Sequence, residues 1–165
     1  MNSGLSKLLR KKNRIKLYII GFVDAEGCFS VSLKKQKDAR FGWVLDPIFQ
    51  VTQHKNSKLV LDVIKDELTC GRIINKPGQK DTLIYLVDNR RQLTEKIIPF
   101  FEKHRLVVKE KDFEKFKDIV QGLENKEHQK IDSFKKLVKK AFEMNLKGKQ
   151  RRYKLEEILE DLEGK

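Results

Sequence analysis

Two acids, Asp24 and Glu26, close the apolar stretch Leu17 to Val23, and Gly27 follows them. An apolar helix that ends in carboxylates is electrostatically awkward. Its C-terminus is the negative end of the helix dipole, so acids there cost a few tenths to about 1 kcal/mol each. A divalent cation at that end reverses the sign. Carboxylate oxygens and free terminal carbonyls are hard oxygen ligands of the kind magnesium takes. Gly21 lies inside the same helix, where glycine costs about 1 kcal/mol relative to alanine. It is tolerated where another backbone comes close, as in a tight helix–helix contact. The bland rival is a surface turn that happens to carry two acids, and the bare Asp-Xaa-Glu-Gly pattern is too short to separate the two.

The composition narrows the partner. The chain has 165 residues, with 37 Lys plus Arg against 24 Asp plus Glu, a balance of +13. Such an excess goes well past what solubility needs and points to a polyanion, with nucleic acid favoured because neutralised phosphates release counterions. An anionic membrane surface would want one basic amphipathic helix, whereas here basic residues recur along the whole chain. Hydrophobic residues make up 39%, which excludes a disordered basic tail. Leu17 to Val23 is too short to span a bilayer. It also fails as a signal peptide, because Asp24-Ala25-Glu26-Gly27 is no small-residue cleavage site. Cys28 and Cys70 lack zinc spacing, so the chain is expected to be intracellular with neither a disulfide framework nor structural zinc. The length suits one domain over 1–165, with a core at about 13–124 and C-terminal helices at about 130–162.

The elements that position the acids follow from periodicity. Residues 5–16 are basic without an acid (Lys7, Arg10, Lys11, Lys12, Arg14, Lys16), and helical character runs on to about Glu26, where Gly27 is a natural stop. Strict alternation then puts Phe29, Val31 and Leu33 on one face and Cys28, Ser30, Ser32 and Lys34 on the other. A second strand, about 42–53, places Trp43, Leu45, Pro47, Phe49 and Val51 together and Asp46, Ile48, Gln50 and Thr52 opposite. Pro47 argues for an edge position or a bulge. Asn56 or Ser57 caps a helix over 58–68 that Gly71 ends; strands at 72–76 and 83–87 flank the Pro77-Gly78 turn. Asp88 or Asn89 caps a helix to about Phe101, and further helices cover 110–123, 131–144 and 153–162. The class is α+β, in the order αββαββα plus extra helices. Short links within each strand pair make the sheet antiparallel.

One sheet face is therefore apolar and wants helices over it. The other is polar and basic and has the dimensions to lie in a DNA major groove. An ordinary solvated face is the commoner alternative. Base-reading candidates on that outward face are Ser30, Ser32, Lys34, Gln36, Asp46, Ile48, Gln50, Arg72, Ile74, Lys76, Leu83 and Tyr85. Arg and Lys suit guanine, Gln adenine and Asp cytosine; isoleucines touch only thymine methyls. His54, His104 and His128 are scattered and read as non-catalytic. Lys130, Lys135, Lys136, Lys139 and Lys140 are candidates for flanking phosphates on helices that otherwise serve packing.

Ile19-Ile20-Gly21-Phe22-Val23-Asp24-Ala25-Glu26-Gly27 resembles the nine-residue signature of the LAGLIDADG homing endonucleases. The likeness extends through Phe49-Gln50-Val51-Thr52-Gln53, Ile98-Pro99-Phe100-Phe101, Lys109-Glu110-Lys111-Asp112-Phe113 and the tail Asn145 to Tyr153, covering roughly 15–160. The resemblance implies an αββαββα fold whose sheets straddle DNA and whose motif helices pack about a two-fold axis. One motif is present, and Ile84-Tyr85-Leu86-Val87-Asp88 is no second copy. Single-motif members act as homodimers, which agrees with one acid site per chain and implies a long pseudo-palindromic site.

Carried over by position, Glu26 matches the catalytic, metal-binding acid, though Asp is commoner there. The Ala25 carbonyl matches a further ligand and Asp24 a more structural acid at the motif-helix end. Gly21 lies on the dimer helix, Gln53 matches a residue ordering the metal and water shell, and Lys109 a basic residue near the scissile phosphate. Ser57 stands where some members carry a basic residue, with Lys58 as its substitute. The implied activity is magnesium-dependent, site-specific cleavage of double-stranded DNA, as in intron homing, with manganese or calcium able to replace magnesium in binding. The rivals are an intron RNA-splicing maturase and a non-catalytic DNA-binding protein on the same fold. A chloroplast, a mitochondrion or a prokaryotic cytoplasm all suit the composition.

Overall fold

A computed structural model of the chain describes residues 12–145 and 151–164. Lys7, Arg10 and Lys11 of the basic segment, and most of the 145–153 tail, lie outside the described residues. The elements are α1 (Lys12–Glu26), β1 (Gly27–Lys35), β2 (Trp43–His54), α2 (Lys58–Leu68), β3 (Arg72–Asn75) and β4 (Thr82–Val87). Then α3 (Arg90–Gln92) passes through a π-turn (Leu93–Ile97) into α4 (Ile98–Lys103), followed by α5 (Glu110–Glu124), α6 (Ile131–Phe142) and α7 (Leu155–Glu163). The sheet order is β1-β2-β4-β3. The chain divides into two compact units, 1–28 with 49–110 and 29–48 with 111–165.

In the first unit β4 pairs antiparallel with β2 and β3, setting Val51 opposite Tyr85 and Ile73 opposite Tyr85. Phe49, Val51 and Tyr85 are fully buried, and Phe49 meets Tyr85 and Phe101 edge-on at 6.2 and 5.5 Å. The Tyr85 hydroxyl donates to the Cys70 carbonyl at 3.0 Å. Burial pushes the Cys70 thiol up, which makes it a packing residue rather than a nucleophile. α1 buries Ile19 and Val23 in this unit.

In the second unit Phe29 packs on Phe113 and Phe116, each at 5.4 Å. Trp43 donates to Asp161 at 2.6 Å and meets Tyr153 edge-on at 4.8 Å. The Asn145 amide donates to the Phe29 carbonyl at 2.7 Å. α6 buries Phe134, Leu137, Val138 and Ala141 and leaves Lys136 and Lys139 exposed, as is Lys130 just before it. Lys140 is paired with Asp118 at 2.6 Å.

The alternation expected for β1 and β2 holds: Phe29, Val31, Trp43, Leu45, Phe49 and Val51 are all buried. One expectation is met locally and one fails. Pro47 falls in the part of β2 outside the β4 ladder, a local edge position of the kind expected for it. The β4 ladder begins at Phe49, two residues past the proline, so the missing N–H costs that ladder nothing. The helix over 58–68 has no side-chain cap from Ser57; instead the His54 ring accepts from the Asn56 N–H at 3.2 Å. Asn89, by contrast, caps its helix through the Gln92 N–H at 3.1 Å.

Candidate active site

Only one long face of α1 is used within its unit. Arg14, Leu17, Gly21 and Ala25 are exposed, Leu17 at 68%, and a Cβ placed on Gly21 would meet nothing within 4 Å. At the helix end, a Cβ on Gly27 would sit 2.6 Å from Val23 Cγ1 and 2.7 Å from the Val23 carbonyl. Glycine is therefore what lets the chain turn from α1 directly into β1.

The two acids have different surroundings. The Asp24 carboxylate accepts three consecutive backbone N–H groups, from Val107 (2.8 Å), Val108 (3.2 Å) and Lys109 (3.1 Å). Successive N–H groups converging on one anion make a small nest that holds it. Glu26 is exposed, and among the described residues no hydrogen bond or ion pair engages its carboxylate. Asp24 is thus held by backbone N–H groups, in keeping with the more structural role expected of it, and Glu26 is the carboxylate left open at the helix end. Accordingly, no group of three or more His, Cys, Asp or Glu able to hold a metal occurs among the described residues.

Lys109 returns the contact. Its ammonium donates to the carbonyls of Asp24 and Ala25, the latter at 3.1 Å. The helix has no basic residue of its own in its last turn, so this lysine supplies the cation that the dipole end favours. Glu26, Ala25 and Lys109 thus come together. Gln53 is half-buried at the end of β2, opposite Leu83, and continues the row of Phe49 and Val51. Ser57 is exposed, and Lys58 is paired with Asp62 at 2.5 Å within α2.

In the second unit Ser32, Lys34 and Gln36 are exposed and Ser30, Asp46 and Ile48 half-buried. Lys34 and Asp46 form a cross-strand ion pair, and the Gln36 N–H closes a turn onto the Gly42 carbonyl at 2.9 Å. In the first unit Gln50, Leu86 and Arg72 are opposite one another across three strands, as are Thr52, Ile84 and Ile74. Arg72 is forked onto Asp88 at 2.7 and 2.6 Å. Lys76 is half-buried beside the turn.

Tyr85 and Leu83 require correction. Tyr85 is fully buried in the row of Val51, and Leu83, two residues earlier, shares its face with Gln53 and Asn75. By register Thr82, Ile84 and Leu86 share the face opposite Tyr85, where Ile84 is itself buried and Thr82 and Leu86 are half-buried. Residues 83–87 are apolar throughout, so no polar residue marked the parity. The nest around Asp24 was also missed in detail, because its partners lie 83 to 85 residues away.

A family model described as LAGLIDADG endonuclease matches residues 19–120. Homing endonuclease I-ApeII of Aeropyrum pernix is 39% identical over 147 residues, covering 86% of each chain. The archaeal intron-encoded homing endonuclease I-Vdi141I, solved in complex with DNA, is 40% identical at a TM-score of 0.87, over 93% of this chain and 98% of that one. I-SmaMI, solved on an uncleaved DNA target with calcium ions, is 30% identical at a TM-score of 0.75, over 79% of this chain and 45% of that one.

Proposed function

The chain belongs to the LAGLIDADG endonuclease family, and from that premise we propose that it is a homodimeric, magnesium-dependent endonuclease that cuts both strands of a long pseudo-palindromic DNA site. The observation that carries the chemistry is the end of α1. An exposed, unengaged carboxylate on Glu26 adjoins the Ala25 carbonyl, with the Lys109 ammonium alongside.

This donor set fits a hard cation. Both donors are oxygens, and magnesium prefers few protein ligands plus water and phosphate. Glu26 and the Ala25 carbonyl would hold the ion, phosphate oxygens of the DNA completing its shell. When bound, the ion supplies an activated water and neutralises charge on the phosphate. The remaining work falls to the protein. Asp24 fixes residues 107–109 and so sets where Lys109 starts. Lys109 carries positive charge toward the scissile phosphate, where it offsets the charge that builds up as the bond breaks. Gln53, at the strand end, orders water around the site.

One acid site per chain cuts one strand, so two copies are needed. The open face of α1, with Leu17, Gly21 and Ala25, is the surface that fits a second α1 closely. The Lys34, Gln50 and Arg72 faces then supply base contacts, and exposed lysines on α6 supply phosphate contacts.

The test is selection of cut sites from a randomised plasmid library. Linear product that depends on magnesium, and disappears in Glu26→Gln while the selected site is still bound in calcium, is the expected result. Binding of selected sites without cleavage in magnesium or manganese would leave a DNA-binding protein and overturn the nuclease reading. Binding confined to structured RNA would leave the maturase.

A further inference from the structure

The contact between Lys109 and the end of α1 has a consequence for how the metal enters. Its ammonium donates to the Asp24 and Ala25 carbonyls, while the backbone N–H of the same residue is pinned by the Asp24 carboxylate. The clamp is reciprocal: the side chain of each residue holds the backbone of the other. A helix end with two acids and no basic residue in its last turn concentrates negative potential, and the lysine is the only cation that the described residues bring to those two carbonyls. The same Ala25 oxygen is the one that the nuclease reading gives to the divalent ion. A magnesium ion about 2.1 Å from that oxygen and an ammonium 3.1 Å from it lie at most about 5 Å apart, with the oxygen between them already accepting a strong hydrogen bond.

We propose that the Lys109 ammonium is the resident cation of the metal-free site, and that a divalent ion takes up the Ala25 carbonyl only by displacing it. This rests on the nuclease reading above and deepens it. Without DNA, the displaced ammonium has only water to go to, so metal binding is opposed. With DNA, a phosphate near the site offers it a new partner, and the opposition falls. Metal and DNA therefore bind with positive coupling that runs through one side chain. By reciprocity, the ion raises DNA affinity by the same factor as DNA raises metal affinity. The arrangement also keeps the metal from settling before the scissile phosphate arrives.

Two measurements on the full chain test this. In the first, lysine ammonium groups are labelled with 15N and followed by NMR. One signal, absent in Lys109→Arg, should be slowed in exchange in the free protein and should move on addition of calcium with the selected DNA site. A Lys109 signal that exchanges as freely as the surface lysines overturns the proposal without relying on any folding-sensitive variant. In the second, calcium binding is measured by calorimetry without DNA. Lys109→Met should bind at least about tenfold more tightly than wild type, Lys109→Arg should stay near wild type, and Glu26→Gln should abolish binding in each background. Equal or weaker binding in a Lys109→Met protein that melts like wild type refutes displacement. A wild type that cuts DNA under that outcome leaves the nuclease reading standing, whereas a wild type that never cuts removes the nuclease reading itself.

Discussion

Asp24 and Glu26 are two residues apart and do opposite work. Asp24 satisfies three backbone N–H groups of residues 107–109. Its removal strands them, and unsatisfied donors cost about 1–3 kcal/mol when buried, less where water reaches them. Asp24→Ala is therefore expected to lower unfolding stability by about 2 kcal/mol in urea titrations and to lose cleavage, because Lys109 loses its fixed starting point. Glu26→Gln changes an exposed side chain that makes no hydrogen bond or ion pair among the described residues and is expected to stay within about 0.5 kcal/mol of wild type while losing cleavage outright. Equal stability losses in the two variants would show that the surroundings of the acids are misassigned. The sequence placed both acids at a helix end, and the family resemblance assigned the metal to Glu26 and a more structural role to Asp24. It had no means of showing that one is occupied by backbone from far along the chain, since a nest of N–H groups has no residue-type signature.

Glycines and strand parity decide how the elements meet. Gly71, at φ +73°, has the Val87 side chain, the Leu86 carbonyl and the Tyr85 ring 2.7 to 2.8 Å from where a Cβ would be. Thr69, two residues before it, is the left-handed C-cap of α2 at φ 54°, a conformation that a β-branched residue adopts only at a cost. Thr69→Gly is expected to raise stability by about 1 kcal/mol and Gly71→Ala to lower it by more than that, read as opposite shifts of the urea midpoint at constant slope. A stabilising Gly71→Ala would contradict the packing of β3 and β4 around Tyr85. Gly71 was read from the sequence as the end of a helix, but α2 ends at Leu68 with Thr69 as its cap; the alternation of β1 and β2 was legible because serines, lysines and glutamines mark their outer faces. β4 was not, because Leu83-Ile84-Tyr85-Leu86-Val87 is flanked by strands on both sides and carries no polar residue. A one-residue change of parity there exchanged Tyr85 for Ile84 and Leu86.

For the whole molecule, the +13 of one chain becomes twice that in the proposed pair, for which the open face of α1 is the candidate surface. In the single chain nothing lies within 4 Å of a Cβ on Gly21, so an added side chain is harmless to that chain, and replacing glycine inside a helix gains up to about 1 kcal/mol. In a dimer built on α1 the same side chain stands between two backbones, and it does so twice because the interface is two-fold. Gly21→Leu is therefore expected to unfold at or above the wild-type temperature and yet to sediment as a single chain where wild type sediments as two. Loss of the second subunit removes about half the phosphate contacts, so the slope of log affinity against log salt should fall by about half. Double-strand cleavage should fall with it, since each half-site then has to recruit its own chain. A Gly21→Leu protein that stays at two-chain mass with an unchanged salt slope would place the interface elsewhere than on α1. The paired change in mass and slope, with stability preserved, is what distinguishes a broken interface from a damaged fold.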